Sequence, residues 1–193
     1  MGLNSTIVRA ICLFFIAILP IRVCAGDLPY EQQSALLLRI LAYDRNLDSR
    51  IDTQVNVVVL YEETDADSVD EARAMEAALR EFGRSTTVSG HRLETYSHPY
   101  RGAVAEVDHL SRLRATAVYL CSGMGGHVSE ISGVTQSLSV MSFSGERDWV
   151  RDGLGIGLVE SDGRARIVVN LPASRAEGAD LAAGLLRHSE VLQ

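Results

Sequence analysis

Apolar residues along this chain switch between two periods, and the switches lay out its elements. Over 28–47 (LPYEQQSALLLRILAYDRNL), Ala35, Leu36, Leu37, Leu38, Ile40, Leu41 and Leu47 form one broad stripe, with Glu31, Gln32, Arg39 and Asp44 largely opposite. That pattern predicts an amphipathic helix that must dock on a core. Residues 55–61 (VNVVVLY) form a short β-branched apolar run, as expected of a strand covered on both faces. A helix is predicted over 67–83, with Ser68 and Glu71 at capping-box spacing and Gly83 as its stop. There follow a weak strand near 92–96, a helix over 102–113, a buried strand over 115–121 and a short helix within 125–136. A strand over 138–143 and one or two helical turns over 145–152 complete this part.

The stretch 153–170 (GLGIGLVESDGRARIVVN) opens with glycines at alternate positions. A dinucleotide-binding turn needs a third glycine three residues after the second and a helix directly behind it. Leu158 or Glu160 stands where that glycine would be, and the sequence continues as two strand-like runs, 154–160 and 164–170, around Ser161-Asp162-Gly163. A hairpin is therefore predicted, with Gly153, Gly155 and Gly157 leaving one strand face bare for close packing by a helix or another chain. Residues 172–192 are predicted as a final helix starting at Pro172. Strand–helix alternation followed by a hairpin and a helix implies an α/β fold: a three-layer sandwich, mostly parallel central sheet, helices on both faces, and a C-terminal hairpin plus helix. No repeat, low-complexity tract or linker marks a second domain.

The beginning of the chain changes where this fold is expected to operate. Arg9 precedes an apolar run from Ala10 to Ile21, about a dozen residues and short of the roughly 20 that span a bilayer. Val23-Cys24-Ala25 suits a signal-peptidase site, so residues 1–25 read as a signal peptide cleaved between Ala25 and Gly26, with a retained membrane anchor as the alternative. Residues 26–193 then form a single exported domain without membrane insertion. Removing Arg9 and Arg22, two cations and no acids, moves the net charge from −7 to −9. Such acidity argues against nucleic acid as a partner. Cleavage also removes Cys12 and Cys24, leaving Cys121 as a lone thiol without an internal disulfide, either a buried small hydrophobe or a reactive group.

Candidate chemistry is sparse. Every basic residue counted as Lys or Arg is arginine, which excludes a P-loop lysine or a Schiff base. His91, His98, His109, His127 and His188 show no metal-binding spacing, and no G-x-S-x-G elbow occurs, so no catalytic set, metal or cofactor is assigned. Glu62, Glu63, Asp65 and Asp67 crowd the end of the first strand, where they cap a helix in a solvated loop, hold a cation, or act as acid and base. The best candidate ligand site is 121–130 (CSGMGGHVSE). Ser122, Gly123, Gly125 and Gly126 lie between a buried strand and a helix, where backbone N–H groups converge on an anion, or else form a plain glycine turn.

The last third of the chain carries a resemblance. A strand at Val140 to Phe143 is followed by Trp149, then Gly153, Gly155 and Ile156, and a charged strand from Arg166 to Asn170. An alanine-rich helix with Ala173, Ala176, Gly178 and the pair Leu185-Leu186 comes next. This order resembles the YfiR (YfiR/HmsC) family of periplasmic regulatory proteins, over roughly Tyr30 to Val191. The chain departs from it in lacking the cysteine pairs of some members and in having YDRNLDS where Trp-Pro often follows the first helix. The resemblance implies a non-enzymatic, dimeric periplasmic regulator that contacts the periplasmic domain of a membrane diguanylate cyclase and represses it, lowering cyclic-di-GMP and biofilm formation. The competing expectation is a small-ligand binding module of the periplasmic substrate-binding type.

Overall fold

The structure, a computed structural model, describes residues 28–193. The expected signal segment and the Ala25/Gly26 cleavage site lie outside the described residues. The elements run α1 (Tyr30–Ala42), α2 (Leu47–Arg50), β1 (Gln54–Tyr61), α3 (Ala66–Ser85), β2 (Arg92–Pro99), α4 (Ala103–Leu113) and β3 (Ala117–Leu120). After a 3-10 turn at Met124–His127 come α5 (Val128–Leu138), β4 (Met141–Ser144), α6 (Arg147–Arg151), β5 (Ile156–Ser161), β6 (Arg164–Asn170), α7 (Leu171–Ala176), α8 (Ala183–Leu186) and β7 (Glu190–Leu192).

The seven strands form one sheet in the order β2-β1-β3-β4-β5-β6-β7, and every pairing is parallel except β5 with β6. The α/β expectation holds, and the alternation within the strands shows why. Val55, Val57 and Val59 of β1 enter one core with Leu37, Leu41, Met75 and Leu79 from α1 and α3. Val58 and Leu60 enter the other with Leu110 of α4 and Val128, Ile131 and Val134 of α5. Each of these fully buried aliphatic side chains contributes roughly 1.5–3 kcal/mol, so both faces need helices. Asp162 and Gly163, at φ 54° and 70°, form the tight turn of the β5–β6 hairpin.

Several boundaries move for identifiable reasons. The first helix stops at Ala42 because Asp44 turns inward, where it accepts N–H groups from Asn46 at 3.0 Å and Asp180 at 2.8 Å. The cap of α3 is Asp65, which accepts from the N–H groups of Asp67 and Ser68, so the Ser68–Glu71 capping box is not formed. Gly83 does not stop α3; the helix continues to Ser85, and Gly83 lies where a Cβ would come within 3.3 Å of Leu93 O. The strand expected from 138 begins at Met141, because Ser139 takes a left-handed φ of 56°. Gly153 stands before β5 in a turn at φ 125°, outside the strand.

The largest correction concerns 172–192. This segment is a short helix, a break, another short helix and an edge strand paired parallel to β6, not one long helix. Gly178 breaks it with φ 81°, and a Cβ there would meet Arg50 Cδ and Ser139 Cβ at 3.2 Å. Glu177 beside it is fully buried and accepts from Ser142 N (3.0 Å), Ser142 Oγ (2.5 Å) and Thr135 Oγ1 (2.9 Å). A helix carried through this point would pull that carboxylate off three donors. The space left by Gly155 and Gly157 is filled from two elements: a Cβ on Gly155 would collide with the Glu177 carboxylate of this segment, and one on Gly157 would lie 2.8 Å from Val150 Cγ2 of α6.

Candidate functional site

β1 lies between β2 and β3, so the connection from its carboxyl end runs through α3 to β2 on one side while that from the neighbouring β3 runs through α5 to β4 on the other. In open α/β sheets such a switch point makes a crevice outside the strand ends, where ligands bind. The sequence-assigned loop Ser122, Gly123, Gly125 and Gly126 follows β3 and stands at this crevice, beside the acidic segment that follows β1.

The loop is lined by the chain's own acids. Glu71 projects from the second turn of α3 and accepts the N–H of Ser122 at 2.8 Å, and its other oxygen lies 2.9 Å from the Tyr119 hydroxyl. That hydroxyl also donates toward Gln33 Oε1 at 2.7 Å, which ties α1 to β3 below the loop. Burial, then the Glu71 charge, pushes the Tyr119 hydroxyl well above its ordinary value. Burial likewise raises the thiol of the fully buried Cys121, which makes it a poor nucleophile. Gly123 has φ 81°, and a Cβ there would stand 2.5 Å from Asp65 Oδ2. Gly125 lies over Trp149, with its would-be Cβ 3.4 Å from Nε1, whereas nothing crowds Gly126.

Around this loop the fold collects residues that lie far apart in the chain. Tyr100 donates to Glu130 at 2.6 Å, and its ring lies tilted on His127 at 4.6 Å. His127 Nε2 is 3.7 Å from Glu62, and Arg101 pairs with Glu63 at 2.7 Å. Hydrogen bonds from Thr64 N and then its hydroxyl hold the Glu62 carboxyl below its usual range. Behind Tyr100, His98 and His109 stack with ring centres 3.7 Å apart over the fully buried Glu106. One Glu106 oxygen accepts from Arg101 N at 3.2 Å and faces His98 Nε2 at 3.4 Å, while the other has no protein partner. Burial raises the Glu106 carboxyl and lowers both imidazoles, so this corner favours its neutral forms. The individual histidines carried no spacing signal; only the parallel pairing of β2 with β1 brings them to this end.

The remaining residues of the family pattern have structural places. Asn170 caps α7 through its side chain to Ala173 N (3.0 Å) and donates to Val150 O (2.8 Å). Gly153 brings its carbonyl to the Ser132 hydroxyl at 2.8 Å. Leu185 is buried in the α1-side core, with Leu186 half-buried beside it, and Arg166 is exposed on β6. Among the described residues no group of three or more His, Cys, Asp or Glu is arranged to hold a metal ion, and no helix is long and apolar enough to cross a membrane.

The three-layer sandwich with its loops gathered at a parallel switch point is a fold shared with binding proteins. A conserved domain protein from Vibrio cholerae superposes with a TM-score of 0.64 at 11% identity, covering 86% of this chain and 60% of its own. An ABC domain in complex with L-Trp from Streptococcus pneumonia gives 0.61 at 13%, covering 85% and 60%. A ligand-free, open substrate-binding protein with adhesive properties from Clostridium difficile gives 0.58 at 12%, covering 84% and 59%. The chain thus spans about 60% of the length of these structures. At such identities the likeness is one of fold. No curated protein matches the chain. The sequence itself belongs to the YfiR/HmsC-like family, whose model matches residues 30–190, and family membership places it among periplasmic regulatory proteins.

Proposed function

We propose that the protein is an exported, non-enzymatic regulator that acts in the periplasm by protein–protein contact, repressing the periplasmic sensor domain of a membrane diguanylate cyclase. The observation that carries this reading is the family match over nearly the whole described chain. The self-occupied crevice agrees with it, since Glu71 and Asp65 take space and an N–H that a small anion would use. The test is genetic and biochemical together. Deleting the gene raises cyclic-di-GMP, and purification from periplasmic extract recovers a membrane sensor carrying a cyclase domain. Unchanged cyclic-di-GMP together with recovery of the protein alone refutes the reading.

A second reading, a small-ligand binding module, is favoured by the placement of Ser122, Gly123, Gly125 and Gly126 at the switch point. With Glu62, Asp65 and Glu71 around the loop, the ligand in that reading is cationic or a neutral hydrogen-bond donor. Thermal-shift titration with amines against carboxylates decides it: stabilisation by amines supports the module, and none across the panel removes it.

A further inference from the structure

The β5–β6 hairpin ends in a group of side chains that neither the family match nor the crevice uses. Residues opposite one another on paired strands share a face of the sheet. Ser161 with Arg164, and Val159 with Arg166, therefore project together, and Glu190 joins them through its pairing with Val168. This is the face on which Val150 of α6 packs against Val159 and Val168. α6 has only five residues, and it lies close to the sheet because Gly157 has no side chain to hold Val150 off. So short a helix leaves the polar end of this face uncovered, and a cavity of about 500 Å³ opens there.

The lining includes Arg147, Ser161, Arg166, Arg187, His188 and Glu190. Nη1 of Arg147 stands 2.5 Å from both carboxylate oxygens of Glu190, so one wall already holds the kind of group it accepts. Arg166 and Arg187 are exposed and have no hydrogen bond or ion pair among the described residues. Of the neighbouring acids, Asp148 is taken by Arg151, Asp162 stands in the hairpin turn, and Glu160 points to the other face, one step from Ser161 along β5. The cavity thus sets three guanidinium groups against one carboxylate, in a chain of net charge −7 whose other arginines mostly pair with acids. Guanidinium forks bind carboxylates through paired N–H donors. A space of this size encloses a small organic ligand and is too large for a single carboxylate.

We propose that this cavity binds a small organic polycarboxylate, with one carboxylate held by Arg166 and Arg187 and a second taken by Arg147 in place of Glu190. The Arg147–Glu190 pair competes with the ligand, so its strength sets how much ligand is needed to fill the site. The cavity lies three strands along the sheet from β3 and shares no residue with the loop 122–126. Its occupancy is a property of the purified chain and does not depend on which partner the chain contacts.

The probe is citrate, titrated into the full chain by calorimetry and NMR in a low-salt buffer free of phosphate and other carboxylates. Saturable binding is expected, with displacement of the Arg166, Arg187 and Ser189 amide resonances. Acetate at the same total carboxylate concentration should bind at least about tenfold more weakly, since it engages one guanidinium group at a time. Arg166→Gln with Arg187→Gln weakens citrate binding about tenfold or more, and raised salt weakens it as well. Both residues are exposed, so the double variant without citrate should unfold at the parent's temperature. Glu190→Gln, which frees Arg147, tightens binding about threefold, and a gain of affinity cannot come from a damaged fold. Each of the following results overturns the proposal. No saturation below about 10 mM leaves no site. Binding unchanged in the double variant puts citrate elsewhere on the chain, the loop 122–126 included. Acetate binding as well as citrate reduces the cavity to isolated charges, and pyrophosphate binding more tightly than citrate changes the ligand class. Binding unchanged or weakened by Glu190→Gln removes Arg147, and with it the place of the second carboxylate.

Discussion

At the amino ends of β3, β4 and β5, Asp44 and Glu177 are buried with each carboxylate oxygen met by a donor, whereas at the carboxyl ends of β1 and β3 the acids Glu62, Glu63, Asp65 and Asp67 are exposed or half-buried. The first group joins segments that are distant in sequence: Arg50 pairs with Asp44 and reaches the Ser139 carbonyl at 3.1 Å, and Asn46 donates to Gly178 O at 3.0 Å. The second group makes mostly local bonds, such as Thr64 to Glu62 and Asp67 to Asp65. Buried charge at the base therefore fixes how the C-terminal segment returns to the sheet, and charge at the rim mainly shapes its own loop. Each substitution below either widens that contrast or breaks it.

The largest effect belongs to Asp44→Ala. It strands the Arg50 guanidinium, whose side chain is only 7% exposed, and removes the acceptor for Asp180 N. Breaking a buried pair by deleting one partner costs about 3–5 kcal/mol, read as a lowered urea midpoint at unchanged m-value. A loss below about 1 kcal/mol would make the base no more structural than the rim.

Glu177 gives the next largest effect, and it depends on pH. Burial raises its carboxyl from an ordinary 4.5 to about 7, with the bonds from Ser142 and Thr135 opposing that rise. The folded state then binds more protons than the unfolded one between these values, so this group's contribution is present in full below about pH 4.5. It is lost as pH rises to about 7, a change of roughly 3 kcal/mol. When Glu177 is protonated, its O–H can donate to Thr135 Oγ1 in place of the reverse bond, and the Thr135 hydroxyl then donates to Ser132 O at 3.1 Å. Glu177→Gln should flatten the difference; stability curves of parent and variant that run parallel from pH 4 to 8 would show that Glu177 stays ionised.

How much of this was legible follows from the reach of each interaction. The buried strands β1 and β3 announce themselves because a β-branched run suits only one environment, and the loop 122–126 was readable as glycines between such a strand and a helix. The Glu71 carboxylate that occupies its Ser122 N–H was not readable, since capping-box spacing gave Glu71 a local partner in place of one 51 residues away. The C-terminal segment misled for the same reason. Its alanines and leucines satisfy a helical period, and only the packing of Gly178 on Arg50, with Asp180 held by Asp44 136 residues away, breaks it.

Gly178→Ala tests that break directly. The residue has φ 81° and two atoms at 3.2 Å from the added methyl, so a loss of roughly 1–3 kcal/mol is expected in chemical denaturation. Gly126→Ala, at the rim, has open space and no left-handed φ and should be within about 0.5 kcal/mol of the parent. Equal losses at the two glycines would erase the difference between base and rim.

Asp65→Ala has a small effect on stability and is the sharpest test at the rim. Asp65 caps α3 through Asp67 N at 3.0 Å and Ser68 N at 3.4 Å, so its removal should cost about 1 kcal/mol, the usual worth of such a cap. The same carboxylate presses on Gly123, and its loss opens the mouth of the loop and removes one negative charge beside it. If the crevice is occupied only by the chain's own side chains, the variant is slightly less stable and gains no affinity for carboxylates in a thermal-shift titration. If Asp65 instead screens a latent anion site made by the N–H groups of Gly123 to Gly126, acetate or phosphate at millimolar concentration will stabilise the variant and not the parent. That second result would move the rim from a surface shaped by self-contacts to one held closed by a single acid.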